Sequence, residues 1–309
     1  MYKYILKRLL IVIPVLLGVT FIVFTIMYFT PGDPVTLILG QDAPMEAKEQ
    51  LRDELGLNKP FVERYVSFVG NAFKGDFGYS YRTGSPVFLE IFSRFPTTLK
   101  LAISSIILAT MIGVPIGILS AVKQYSTLDL ISSVSAMFLA AIPGFWLGLM
   151  MILLFSLKLG WLPSNGIESL ASYVLPTISL ALPTAAQILR LTRSAMLETI
   201  RQDYIRTARA KGATEKIVIW RHALINALLP VVTIVGMHFG TLLGGTVITE
   251  SVYAIPGVGT LVINSIRMKD TPQVLAAVTL LSALFCFIML SVDIIYAYID
   301  PRIKARYTK

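Results

Sequence analysis

Two histidines, His222 and His238, and one cysteine, Cys286, are the only imidazole and thiol groups in the chain. They stand too far apart in sequence to give the close ligand pairs that metal sites use. Cys286 lies inside an apolar run with no second thiol to pair with, so disulfide and redox chemistry are not indicated. A G-x-x-x-x-G-K-[ST] phosphate loop is also missing, so the chain does not hydrolyse ATP by that route. The richest pattern is instead RLTRSAMLETIRQDYIRTARAKGATEKIVIWRHALINALLP, residues 190–230. Its helix-forming stretch 204–211 stops at Gly212, because glycine accepts the left-handed geometry that ends a helix, and Thr214 then caps a new helix. Ala208, Ala210 and Gly212 are small enough for a partner's backbone to approach, and Tyr204 and Ile205 can fill an apolar cleft. The chemistry is therefore non-covalent docking. A basic loop beside the membrane also holds anionic lipid, and the residues alone leave both readings open.

The elements that must position this loop are membrane spans. With 55% hydrophobic and only 15% charged residues among 309, the chain has too little polar surface to coat a water-soluble globule. Six stretches, 9–32, 101–122, 130–157, 169–189, 222–249 and 271–292, contain no Asp, Glu, Lys or Arg and are long enough to cross about 30 Å of hydrocarbon. The first follows Lys3, Lys7 and Arg8 but is too long for a signal peptide and lacks a small-x-small cleavage site, so it reads as a retained helix. Interior prolines at Pro14, Pro115, Pro143, Pro183 and Pro230 read as kinks tolerated in a bundle. Six spans put both termini on one side. If that side is cytoplasmic it holds sixteen basic residues against six acidic ones, leaving a net −1 outside, and the positive-inside rule then sets both termini in the cytoplasm. The formal charge of +9 is thus explained by topology, and nucleic acid is not indicated. An outer segment, 33–96, carries Phe61, Tyr65 and Phe68 at helical spacing and predicts one or two short amphipathic helices on the membrane surface.

At DYIRTARAKGATEKIVIWRHALINALLPVV, residues 203–232, the sequence resembles the inner-membrane permeases of binding-protein-dependent ABC importers, specifically the dipeptide, oligopeptide and nickel permease family. Supporting stretches are PGDP at 31–34, GDFGYSY at 75–81, LTRSAMLE at 191–198, ESVYAIPGVG at 250–259 and DPRIK at 300–304, so the similarity spans nearly the whole chain. The resemblance implies an all-α polytopic protein with six transmembrane helices and the type I ABC importer transmembrane fold. It implies that Tyr204, Ile205, Arg206, Thr207, Ala208, Arg209, Ala210, Lys211, Gly212 and Ala213 form the loop that couples the membrane helices to an ATP-binding subunit. Arg206, Thr207 and Ala208 stand where the wider superfamily has Glu-Ala-Ala, and the pair Leu229–Pro230 lies farther from the glycine than in sugar importers. Both departures look typical of the peptide and nickel branch, and no glutamate-dependent contact is carried over.

The expected partners are a second permease subunit, related but different, two ATP-binding subunits that hold the ATP, an extracytoplasmic solute-binding protein and membrane lipid. No cofactor or metal is expected on this chain. The expected organisation is an N-terminal helix and outer segment (1–96), a five-helix transport domain (97–299) with its cytoplasmic loop at about 190–222, and a cytoplasmic tail (300–309).

Small residues recur on the fifth span at Gly236, Gly240 and Gly244, a spacing that lets helices approach closely. Packing within this chain is one reading. The other is that Thr233, Gly236, Met237, Gly240, Thr241 and Gly244 line a seam with a second permease, where solute would pass. ESVYAIPGVG predicts a tight bend outside the fifth span, either a gate or a surface turn for the binding protein. An ion-coupled carrier would need carboxylates inside the spans, and a membrane enzyme would need clustered His, Asp or Ser; the sequence offers neither. Peptides are the favoured cargo, with nickel or a metal chelate as the alternative.

Overall fold

The structure, a computed structural model, describes residues 2–299. DPRIK and the expected tail 300–309 lie outside the described residues, as do the side chains of Lys3, Lys7 and Arg8. The regular elements are helices: α1 (Tyr2–Phe29), α2 (Pro34–Leu39), α3 (Met45–Glu54), α4 (Phe61–Ala72), α5 (Val87–Val122), α6 (Thr127–Ala141), α7 (Gly144–Met151), α8 (Val174–Ile200), α9 (Asp203–Ala210), α10 (Glu215–Ile217), α11 (Leu224–Val252), α12 (Val258–Arg267) and α13 (Thr271–Ile299). The sole strand-like pairing among the described residues is a bridge between Tyr79 and Pro86. Five helical stretches are long and apolar enough to cross a membrane, and a sixth crossing results if the bent α6–α7 pair is one span. The chain divides into two compact units, one of residues 2–98 and 256–286, the other of 99–255 and 287 onward.

In the first unit, the outer segment uses its aromatic stripe as packing. Phe61 and Tyr65 on α4 meet Phe21, Phe24 and Tyr28 of α1 at centroid distances of 5.0–6.0 Å, mostly edge to face. The Tyr65 hydroxyl donates to the Leu17 carbonyl at 2.8 Å. Three short helices form here, and the stripe packs on the first span. Asp33 starts α2 by accepting the Val35 amide, with Pro34 in the first helical position. ESVYAIPGVG holds more than a bend: past Pro256 the chain re-enters a helix, α12, whose Val258, Leu261 and Val262 pack with Val87, Ile91, Ala276 and Ala277.

The second unit is built around α8. On α5, a Cβ at Gly117 would lie 2.7 Å from Thr192 Cβ, and one at Gly113 would lie 2.7 Å from the Ala185 carbonyl, so α5 can press this closely on α8 only with glycine there. Ala136 of α6 buries against Ala186 and Leu189. Tyr253, fully buried, shares a 2.8 Å hydrogen bond with Ser179 and donates to the Gly148 carbonyl at 3.2 Å, tying the end of α11 to α8 and α7.

The expected single helix 130–157 is a correction. The chain breaks at Ile142–Pro143 into α6 and α7, bent by 99°, and continues from α7 as a π-helical turn, Ile152–Lys158. Proline disfavours the helical conformation of the residue before it, and Ile142 is accordingly extended (φ −74°, ψ 128°). Pro14, Pro183 and Pro230, by contrast, stay inside their helices. Helices also overrun the apolar stretches, since backbone hydrogen bonding does not stop where hydropathy does. Thus α11 carries the fully buried Glu250 in its last turn, and α8 continues eleven residues past 189.

Candidate functional site

The loop after α8 is a helix, a glycine turn and a second helix, each fixed by local chemistry. Asp203 and Arg209 place an acid in the first turn of α9 and a base in its last, both favourable to the helix dipole. At its end the Gly212 amide bonds the Arg209 carbonyl at 2.9 Å and the Ala213 amide bonds the Ala208 carbonyl at 3.2 Å. That pair of reversed bonds is a Schellman motif, and it requires the left-handed backbone that Gly212 adopts at φ +81°. Thr214 occupies the cap position of α10 with an extended backbone, though its hydroxyl makes no capping bond. A fork from Arg209 closes the turn, with Nε and Nη2 at 2.7 and 3.2 Å from the two Glu215 oxygens.

Two faces of α9 do different things. Ile205 is fully buried among Ile118, Met196, Val218 and Ala223, and Ala208 and Ala213 pack on the same cluster. Those side chains seat the loop on the chain's own core. Tyr204, Arg206, Thr207, Arg209, Ala210, Lys211 and Gly212 are exposed.

An ion pair that sequence reading passed over ties α6 to α8. Asp129, 5% exposed, takes Arg193 Nε at 2.6 Å and Nη2 at 2.9 Å, the Ser120 hydroxyl at 2.5 Å and the Tyr125 amide at 2.9 Å. It joins the end of α5, the start of α6 and the stem of α8. The signal was available: Arg193 falls on the α8 face of Ala186, Leu189 and Met196, all buried, and a cation on that face needs a carboxylate.

The candidate seam on α11 separates into two faces. Gly236 is buried where a Cβ would lie 2.0 Å from Val292 Cγ2, so it serves the approach of α13, and Gly240 is buried as well. Met237, Thr241 and Gly244 are exposed, with Thr233 half-buried on the same side.

Residues 113–305 match the family model described as binding-protein-dependent transport system inner membrane component, and residues 1–102 match the model for the N-terminal part of such membrane components. The chain belongs to this family. Over 304 residues it is 41% identical to the glutathione transport system permease protein GsiC of Escherichia coli (strain K12), covering 98% of this chain and 99% of that protein. It is 40% identical to the dipeptide transport system permease protein DppB of Alkalihalophilus pseudofirmus and 42% to the oligopeptide transport system permease protein AppB of Bacillus subtilis, in both cases over 98% of this chain and all of the relative. Among solved structures, the inward-facing MetNI methionine ABC transporter matches with a TM-score of 0.57 at 23% identity, over 70% of this chain and 99% of that one. The fold is thus that of a type I ABC importer permease, and the protein is a multi-pass membrane component.

Proposed function

We propose that this chain lines the translocation path of an importer for di-, tri- or oligopeptides, with both termini in the cytoplasm and with ATP hydrolysis assigned to partner subunits that dock on the exposed face of 203–213. The reading is carried by full-length relatives at 40–42% identity named for glutathione, dipeptide and oligopeptide transport, cargoes that share a short peptide backbone. The asymmetry of basic residues supports the orientation. Ile205 packs in one cluster with Met196 of α8 and Ala227 of α11, which connects a partner docked on the loop to both helices. Cargo arrives on an external binding protein, and a different, related permease completes the path. Nickel is the weaker reading, since these relatives are named for glutathione, dipeptide and oligopeptide transport.

The test uses the assembled system in proteoliposomes, with uptake of labelled di- and tripeptides measured against Ni²⁺ uptake. ATP-dependent peptide uptake that is lost, together with the co-purifying ATPase, in Ala210→Glu and Thr207→Glu is the expected result. Nickel uptake alone would overturn the peptide reading, and retention of the ATPase by both variants would overturn the docking face.

A further inference from the structure

In the unit of residues 2–98 and 256–286 a polar cavity of about 240 Å³ opens between α1, α3, α4 and the α12–α13 connection. Its charged lining is Arg52, Arg64, Lys269 and Asp33, three cations against one carboxylate. Asp33 is already engaged by Arg52 at 2.7 Å, and Arg52 also holds Glu49 at 3.1 Å. The other two cations make no ion pair among the described residues. Arg64 lies with its guanidinium carbon 5.9 and 5.8 Å from the ring centres of Phe24 and Tyr28. Lys269 is only 7% exposed, and its Nζ donates to the Thr30 carbonyl at 2.6 Å.

A lysine with little exposed surface and one neutral acceptor for its ammonium is ordinarily matched by an anion. Lys269 has a left-handed backbone at φ +56°, unusual for a lysine, and its stem fills the space beside Gly32, where a Cβ would lie 3.1 Å from Lys269 Cε. Burial also holds the ammonium below the usual lysine range. The adjacent Asp270 makes no ion pair with it; that carboxylate accepts the Ser80 hydroxyl and the Tyr81 amide.

We propose that this cavity is a binding site for a small oxyanion, a carboxylate or phosphate group, with Lys269 and Arg64 supplying its counter-charge. The volume holds such a group with several waters, each taking about 30 Å³. Arg64 offers a planar fork suited to two oxygens, and Lys269 a point charge. The proposal does not rest on the transport reading. The anion has two sources, the surrounding solution or the phosphate of a lipid headgroup.

The test measures thermal unfolding of the full chain in its membrane assembly, in neutral detergent, with inorganic phosphate or acetate titrated against chloride at fixed ionic strength. A saturable rise in Tm is expected for the wild type. Lys269→Met and Arg64→Gln are each expected to weaken the apparent affinity about tenfold or more. Lys48→Met, which removes an exposed lysine bonded to the Gln41 carbonyl, should leave it unchanged. Lys269→Met should also raise the Tm measured without phosphate, because it removes an unmatched buried charge; a purely structural lysine would lower it under both conditions. Absence of a saturable shift in the wild type, or a shift surviving in both cavity variants, overturns the proposal. Radiolabelled phosphate binding then separates the sources: binding that persists in lipid nanodiscs means a soluble anion, and binding present in detergent but lost in nanodiscs means that headgroup phosphate fills the same site.

Discussion

Arg193 on α8 reaches across to Asp129 at the start of α6 and holds both carboxylate oxygens, at 2.6 and 2.9 Å. The pair matters because its members are unequal. Asp129 is 5% exposed while Arg193 is 27% exposed, so removing the arginine leaves a largely buried charge with only neutral donors, Ser120 and the Tyr125 amide.

Arg193→Leu is therefore expected to destabilise the protein by about 3–5 kcal/mol, the range for an unmatched buried charge. Adding Asp129→Leu should recover a substantial part of that loss. Thermal unfolding of the two single variants and the double variant measures the coupling; a double variant as damaged as the sum of the singles would mean that the two charges act independently.

At Gly212 the cost of a side chain is set by backbone geometry alone, since a Cβ there meets nothing within 4 Å. Gly212→Ala should cost about 1–2 kcal/mol, and Gly212→Asn less, because asparagine tolerates left-handed backbone. If the loop is the docking surface, ATPase binding should weaken in that same order, by up to about tenfold for alanine. Equal binding by both variants would show that the turn geometry is not what the partner reads.

The family, the spans and the helix–glycine–helix loop were legible because long uncharged runs, a glycine stop and an unbroken motif are each local in sequence. What was not legible depends on which way a side chain faces. Gly236, Gly240 and Gly244 drew attention as a spaced set, yet a Cβ at Gly244 would meet nothing while Gly236 lies against Val292. Gly113 and Gly117, equally spaced on α5, are the pair pressed against α8, and only the three-dimensional path of α8 reveals it. Likewise Ile205, read as a side chain for a partner's cleft, is spent on the chain's own core, because its side of α9 faces Met196 and Val218.

A glycine contrast follows. Gly117→Ala should cost about 1–3 kcal/mol by forcing α5 from Leu189 and Thr192, whereas Gly244→Ala should be close to neutral in stability. Comparing the midpoints of thermal unfolding in one detergent decides it, and equal losses would contradict the α5–α8 packing.

Acid should weaken the start of α2. Burial raises the Asp33 pKa, but hydrogen bonds from Thr36, Arg52 and the Val35 amide outweigh it and hold the carboxyl below its usual range. A group with a depressed folded pKa contributes stability that is present above its unfolded value and lost as pH falls through the folded one. Amide protection factors over α2 and α3 should therefore be high at pH 6 and fall below about pH 4. In Asp33→Asn the protection should already be reduced at pH 6 and change little with acid. An identical acid response in the variant would assign the effect to other carboxylates.

The exposed face of α11 yields the last expectation. Met237 and Thr241 are exposed, whereas Gly236 and Gly240 are buried. If that face meets a second permease across the path, cysteines placed there after Cys286→Ser should react with a water-soluble maleimide at rates that change when the assembled transporter is trapped with a non-hydrolysable ATP analogue. A cysteine at Ile225, on the same helix but outside the Thr233–Gly244 stretch and 54% exposed, is the control for lipid-facing positions and should not respond. State-dependent labelling at 237 and 241 alone would place the path on this face, since lipid contact offers no reason for reactivity to follow nucleotide. Constant labelling at all three would assign the face to lipid and move the path to another helix.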